Sequence, residues 1–429
     1  MFGFANFLLL ALFAAAVFDL IFALARGGGL RGALHGLWNT PHLLFGQQLA
    51  EWRLQIGRIL FAAGLAAYEI SVVFCNSMAR QNWAWVQGVM SPVLEWLAFL
   101  CFGAKILFGT RYTWRELLAS GALYFIARWV YFNSQNIWWI GIVVAVLAAK
   151  DIPLRRPLQV YFASGCAAMA VVLALHFAGI VAPDLTSERM GALRGTYGYG
   201  HPNTFGGLVF GLVLAYALLR AQKVRWVDCL LVFAVGVFLL VGPASRSAAL
   251  CTLALAVGLV FCRLRTGHSV PRWWPGTCAG MVGLTAAVSY LLPLLVIKVG
   301  PWNNDIGPAW LAKLDSLLTC RISLTWMAYR LLDVKIAGQV FNWPTVDNSF
   351  AFALFQFGPV VAALLGILFA AALWGHAKQG RRVEVCCLFA MLAYAYMEVQ
   401  PFHLTTNPTA LLLCGAVFAQ TSARWQKIE

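Results

Sequence analysis

Acidic residues are scarce, with 16 Asp and Glu in 429 positions, and all charged residues together make up 11% of the chain, less than half the roughly 25% of an ordinary soluble domain. With 61% hydrophobic residues and a mean hydropathy of +0.76, that deficit excludes a soluble protein. It also leaves no stretch for a large soluble catalytic domain. Metal-ligand spacing is missing too, since no Cys or His pair stands at zinc-site intervals. Of the eleven cysteines, all but Cys320 lie in or at the ends of apolar runs, where they act as small hydrophobes. There is no Walker-type phosphate loop, no low-complexity region and no transporter-type internal repeat. The stretch from Phe2 to Ala25 lacks a basic leader and a small-residue cleavage motif, so it is expected to be a retained first helix.

What is present is a series of apolar runs. At roughly 20 residues per crossing, the runs at 2–25, 57–76, 88–108, 116–133, 136–149, 158–182, 203–220, 226–243, 246–262, 275–298, 348–373, 384–398 and 405–421 predict about 12–13 transmembrane helices. The expected fold is an all-α, polytopic integral membrane protein. Runs 136–149 and 384–398 are short enough to be tilted, broken or re-entrant, and 26–56 has room for an interfacial helix. We divide the chain into N-terminal membrane helices, 1–182, and a C-terminal membrane half, 183–429, which contains the long polar segment 299–347. In that segment Leu311, Leu314, Leu318, Ile322, Trp326, Tyr329 and Leu332 recur at intervals of three and four, the stripe of an amphipathic helix lying on the bilayer surface or on top of the bundle.

A formal charge of +15 would suggest nucleic acid for a soluble protein, but here the basic residues cluster between apolar runs and report topology first. With the N-terminus outside, Arg26, Arg53, Lys105, Arg111, Lys150, Arg155, Arg220, Arg263, Arg382 and Arg424 fall on the inner face. This orientation puts the segments after 182 and after 298 outside and the C-terminus in the cytoplasm. The expected setting is the plasma membrane, with the bilayer as partner and no nucleic acid.

Polar residues that topology does not explain gather on the outer face. The stretch Arg194-Gly-Thr-Tyr197-Gly-Tyr199-Gly-His201-Pro-Asn203-Thr-Phe-Gly206 precedes a helix start. It reads either as a tight loop whose Asn203 or Thr204 caps the helix or as an anion and sugar site, because a helix N-terminus beside an arginine attracts phosphate. Arg246, in Gly242-Pro-Ala-Ser-Arg-Ser247, sits at a span start, where a charge snorkels or faces a wet cavity. Arg321 lies on the amphipathic stripe. Asp347, with Asn348 and Ser349, stands where the chain re-enters the membrane, as a cap or as a carboxylate on the same face. Glu398, His403 and Asn407 frame the last outer loop. Arg128, Glu69 and Glu95 lie within spans as candidate buried ion pairs.

The stretch from Arg194 to Gly206 resembles the R-x-x-x-G-x-x-HPN-x-x-G signature of bacterial polysaccharide repeat-unit polymerases, in the O-antigen polymerase and O-antigen ligase superfamily. Ser245-Arg246, Leu317 to Ile322 around Arg321, Val346-Asp347-Asn348-Ser349 with Phe357-Gly358, and Glu398 with Asn407 resemble further motifs of that group, in order. Cys320 and Phe350 depart from its usual residues, and the first 180 residues match in hydropathy alone. The resemblance implies a C-type glycosyltransferase-like fold with one long extracytoplasmic loop and an active face outside the cell. It implies transfer of a glycan from undecaprenyl pyrophosphate to a sugar hydroxyl of an incoming lipid-linked repeat unit, with no metal or other cofactor. It further implies that Arg194, Arg246 and Arg321 bind the diphosphate, that His201 or Asp347 serves as base with Glu398 as competitor, and that Tyr197, Tyr199, Asn203 and Asn348 shape the sugar site. A flippase and a chain-length regulator are the implied partners. Ligase-like transfer to a different acceptor, and a flippase for lipid-linked glycans, are the rival readings.

Overall fold

The computed structural model describes residues 2–25, 29–45, 50–181, 187–189, 192–265, 267, 269–297 and 307–418. In the N-terminal half, α1 (Phe2–Ala25), α2 (Gly29–Asn39), α3 (Ala50–Cys75) and the short α4 (Ala79–Asn82) lead to α5 (Ser91–Phe108), α6 (Trp114–Ser134), α7 (Ile137–Ala148) and α8 (Arg155–Phe177). The C-terminal half holds α9 (Pro202–Leu219), α10 (Trp226–Val241), α11 (Arg246–Leu264), α12 (Trp274–Leu291), α13 (Ala309–Leu317) and α14 (Arg321–Leu331). It closes with α15 (Ser349–Phe352), α16 (Pro359–Lys378), α17 (Arg382–Met397) and α18 (Cys414–Val417). Two antiparallel pairs, β1 (His42–Leu43) with β2 (Arg111–Tyr112) and β3 (Ser187–Arg189) with β4 (Ala192–Arg194), and an isolated antiparallel bridge between Ser77 and Tyr199, are the β-structure among the described residues.

The chain is all-α, and eight of its described helices are long and apolar enough to cross a membrane. Ile137–Ala148, Trp226–Val241 and Pro408–Val417 are shorter apolar elements. Large apolar side chains remain exposed on the outside of the bundle, among them Phe7, Leu10 and Phe13 on α1 and Val227 and Leu230 on α10. A contiguous apolar exterior of this kind suits lipid rather than water. Within the bundle α3 packs on α5 and α8, α10 on α11, α12 on α16, and α11 on α17.

Local chemistry sets several helix ends. Thr113 and Glu116 form a reciprocal capping box that starts α6, and Asn136 Oδ1 accepts from Trp138 N at 3.0 Å to start α7, each satisfying amides that have no partner inside their helix. Within 26–56, where the sequence leaves room for an interfacial helix, the chain forms the helix α2. The two short runs at 136–149 and 384–398 are continuous helices, α7 and α17.

Elsewhere the chain departs from the apolar pattern. The run 348–373 is not one helix. It consists of α15 and a π-turn ending at Phe357, then breaks at Gly358 (φ 87°) before α16. A β-carbon at Gly358 would sit 2.1 Å from the Ile336 carbonyl, so the close crossing of the returning segment requires glycine. The run 405–421 is not an α-helix either. Asn407 caps a 3-10 element, Pro408–Leu413, and α18 covers only four residues; the end of that run and Arg424 lie outside the described residues, as do Arg26 and 298–306 at the start of the long polar segment. The amphipathic stripe forms two helices, α13 and α14, because Thr319 (φ 58°) and Cys320 (φ 65°) take left-handed conformations between them. Leu311 and Ile322 pack with Val296, and Ala328 packs with Val346, Ala351 and Phe355. The stripe therefore packs on neighbouring segments of the chain.

The two ends of the bundle differ in chemistry. At one, Arg53 donates to Leu44 O at 2.7 Å, Lys150 to Arg111 O at 2.7 Å and Lys105 to Lys150 O at 2.7 Å. These are residues that the charge pattern assigns to the inner face. The other end holds the helix starts of α9 and α11 and the finish of α17.

Candidate active site

Three hydrogen-bond donors from distant parts of the chain converge on one carboxylate oxygen, Glu398 Oε1. Arg321 Nη2 lies 2.5 Å from it, Ser247 Oγ 2.8 Å and Asn203 Nδ2 3.1 Å. Arg321 and Glu398 are 7% and 5% exposed, so this is a buried ion pair. Such a pair requires its remaining groups to be hydrogen-bonded, or desolvation outweighs the attraction. Here they are. Arg321 Nε donates to Met397 O, and Nη1 donates to Leu318 O at 2.8 Å and to Thr319 Oγ1.

The backbone explains how Arg321 arrives there. Asp315 Oδ1 accepts from Ile322 N at 2.8 Å and from Ser323 N at 3.2 Å, so a carboxylate from α13 caps the first turn of α14. The left-handed Thr319 and Cys320 fold α14 back against α13 and leave Arg321 as its first residue. Arg321 is thus a buried helix-start residue and not part of a solvated surface face.

A second arginine extends the network. Arg194, 6% exposed, donates from Nη2 to Asn203 Oδ1 at 2.8 Å and to Ala244 O at 3.3 Å. Asn203 therefore bridges Arg194 and Glu398, using its oxygen toward the cation and its nitrogen toward the anion. It is not the helix cap. His201 is, with its Nδ1 accepting from Asn203 N at 3.1 Å. This puts Pro202 at the first helical position, where its missing N–H costs nothing and its fixed φ suits the helix.

Close helix contact holds the network at that depth. A β-carbon at Gly206 would lie 2.3 Å from Ser245 Oγ, and one at Gly207 would lie 1.9 Å from Gln400 Oε1. Gln400 in turn donates to Asn203 O at 3.2 Å and accepts from Tyr394 OH at 2.8 Å. Side chains at these two glycines would push α9 away from α11 and from the segment after α17.

The other expected residues sort as follows. His201 and Arg246 are exposed, at the starts of α9 and α11. Asp347 is half-buried and close enough to act electrostatically on Glu398, but it does not cap α15. Asn348 does, accepting from Phe350 N at 2.9 Å while its Nδ2 donates to Ser289 Oγ and Tyr396 O, both at 3.1 Å. Ser349 Oγ donates to the Glu398 carbonyl at 2.6 Å, which ties the re-entering chain to the carboxylate residue. Tyr197 stacks on Phe205 and Tyr199 is fully buried, so both pack beneath the loop. Asn407 binds Pro401 O at 2.9 Å, and His403 lies 3.8 Å, centroid to centroid, from the Trp138 ring; both shape the broken last segment.

Burial pushes the Glu398 carboxyl above its ordinary value; Arg321 opposes this, Asp347 reinforces it, and the hydrogen bonds from Ser247 and Arg321 oppose it. The outcome is a carboxyl poised above the usual carboxylate range, paired with Arg321. Ser247, Asp315 and Gln400 are members of this assembly that sequence reasoning did not single out. Ser247 stands next to Arg246 in a stretch already marked, so its signal was at hand. Asp315 acts on backbone amides, and Gln400 on the Asn203 carbonyl and the Tyr394 hydroxyl, contacts that carry no signal in the sequence.

Comparison with known proteins finds no match to a family model, to a curated protein or to a solved structure.

Proposed function

We propose that this protein is a membrane glycosyltransferase that polymerises undecaprenyl-pyrophosphate-linked oligosaccharide repeat units into a surface polysaccharide. The observation that carries the reading is the convergence of Arg321, Ser247 and Asn203 on Glu398 Oε1, because it joins three separately spaced sequence motifs, and the serine that follows a fourth, in one network at one end of the bundle. In this reading the fold is of the C-glycosyltransferase type, the long segment carrying α13 and α14 is extracytoplasmic, and the membrane is the plasma membrane.

The chemistry follows from the groups available. The oxygen of an acceptor hydroxyl attacks the anomeric carbon of the lipid-linked glycan, the bond to the diphosphate oxygen breaks, and the electron pair leaves with the diphosphate. The hydroxyl proton passes to a carboxylate. Glu398 Oε2 accepts none of the three hydrogen bonds that fix Oε1, and a carboxyl poised high by burial is the better proton acceptor. Asp347 and His201 are the alternative bases at the same end. Exposed Arg246 and buried Arg194 supply cations for the departing diphosphate, and Arg321 acts as the positioning residue that orients Glu398.

The experiment is a gene deletion complemented at matched expression with wild type or Glu398→Gln, followed by sizing of surface glycan and lipid-linked intermediates. Accumulation of single lipid-linked repeat units with Glu398→Gln supports the polymerase. Long lipid-linked chains that never reach a final acceptor indicate ligase-like transfer instead, and intermediates held on the cytoplasmic leaflet indicate a flippase.

A further inference from the structure

The end of the bundle opposite the Glu398 network contains a cavity of about 730 Å³, within the size range of small-molecule sites. Six cationic side chains line it: Arg155 at the start of α8, Arg220 and Lys223 after α9, Arg263 at the end of α11, and Arg381 and Arg382 at the start of α17. Glu384 is the one acid in that lining. Asp228 offsets Arg220 at 3.1 Å, which still leaves the cations in excess. Orientation of a membrane protein calls for basic residues in inner loops, but it does not require four separate stretches of chain to bring them to the lining of one cavity. Like charges gathered this closely repel, and an anion relieves the repulsion.

We propose that this cavity binds a phosphate-bearing anion. Guanidinium forks match phosphate oxygens in pairs, and basic pockets between helices at a membrane surface suit phospholipid headgroups. Leu158, Leu218 and Leu412 on the wall provide an apolar surface beside the cations, as an amphiphile requires. The same phosphate chemistry also fits a soluble diphosphate.

The position gives the ligand a mechanical consequence. Three helices carry a cavity cation and a network residue at or next to their opposite ends: α9 has Arg220 and Asn203, α11 has Arg263 and Ser247, and α17 has Arg382 and Glu398. Each pair is about 25 Å apart at 1.5 Å per residue. An anion held among the cavity cations ties together the far ends of the helices that build the network, so binding raises the stability of the folded chain.

The test follows thermal unfolding of the purified full chain in neutral detergent, titrated with phosphatidylglycerol, phosphatidylcholine or inorganic pyrophosphate. We expect a saturable rise in Tm with phosphatidylglycerol, or with pyrophosphate if the natural ligand is soluble, and none with phosphatidylcholine. Arg155→Gln, Lys223→Gln and Arg381→Gln together weaken the response roughly tenfold or more. Arg156→Gln, Arg272→Gln and Lys378→Gln together, removing the same charge from the same end outside the cavity lining, leave it intact. If the first triple variant does not fold, exposed Lys223→Gln alone decides, with a shift to higher ligand concentration expected. No saturable response to either anion, or equal weakening by both triple variants, overturns the proposal.

Discussion

Asn203 and Arg194 are joined by a 2.8 Å hydrogen bond from the guanidinium to the amide oxygen, while the same amide donates to Glu398 at 3.1 Å. One neutral side chain thereby accepts a hydrogen bond from a buried cation and donates one to a buried carboxylate at once. Aspartate could not do this, since it has no proton to give Glu398 at neutral pH and would place a second negative charge beside it.

Asn203→Ala leaves Arg194 and Glu398 each short of a partner. The expected cost is about 1–3 kcal/mol of stability, with loss of most polymer formation if the proposed polymerase function holds. Thermal unfolding alongside sizing of lipid-linked glycan checks both parts, and a variant with unchanged stability and full-length polymer would remove Asn203 from the network's function.

The Arg321 and Glu398 pair should show strong coupling. Either alanine variant alone strands a buried charge and costs about 3–5 kcal/mol, whereas the double variant should cost clearly less than the two combined. A double-mutant cycle in detergent measures this. Additive losses would mean that the two groups do not sense each other.

Gly206→Ala brings a β-carbon into the space of Ser245. Overpacking of this kind costs about 1–3 kcal/mol. Ser245→Gly in the same chain should recover part of the loss, and failure of that rescue would show that α9 and α11 are not in close contact at this level.

At the other end of the bundle, His42 has Nδ1 3.2 Å from Thr40 O and Nε2 3.3 Å from Asp19 Oδ2. Burial opposes its charge, but the Asp19 carboxylate and the Thr40 carbonyl outweigh burial, so the imidazole titrates above its ordinary 6.5. The folded state then binds the proton more tightly than the unfolded one. This contribution to stability is fully present below pH 6.5 and is lost as pH rises through the higher folded value. Unfolding measured across that range should show wild type losing stability relative to His42→Gln as the pH increases, and parallel curves would refute the assignment.

Helix positions were largely legible in the sequence because a bilayer leaves backbone amides no partner except one another, so each apolar run of sufficient length becomes a helix. The exceptions show what the pattern omits. Hydropathy cannot see Gly358 at φ 87° dividing one run into two elements, or Thr319 and Cys320 folding one amphipathic stripe into two helices. It likewise reads the apolar stretch after Asn407 as helix, although that side chain caps a 3-10 element there.

Among the candidate residues, composition and spacing singled out Arg194, Asn203, Arg321 and Glu398 as polar groups that topology does not explain. That much was determined by the sequence alone, because a charge or an amide in an apolar chain is costly and must have a reason. Their partnership was decided only by the tertiary structure. Asn203 and Glu398 stand 195 positions apart, and Arg321 and Glu398 stand 77 apart. What brings them within hydrogen-bond distance is the packing of α9 against α11, permitted by Gly206, and the fold of α14 onto the bundle. Long-range proximity depends on how helices pack, and a local pattern of residues carries no record of that.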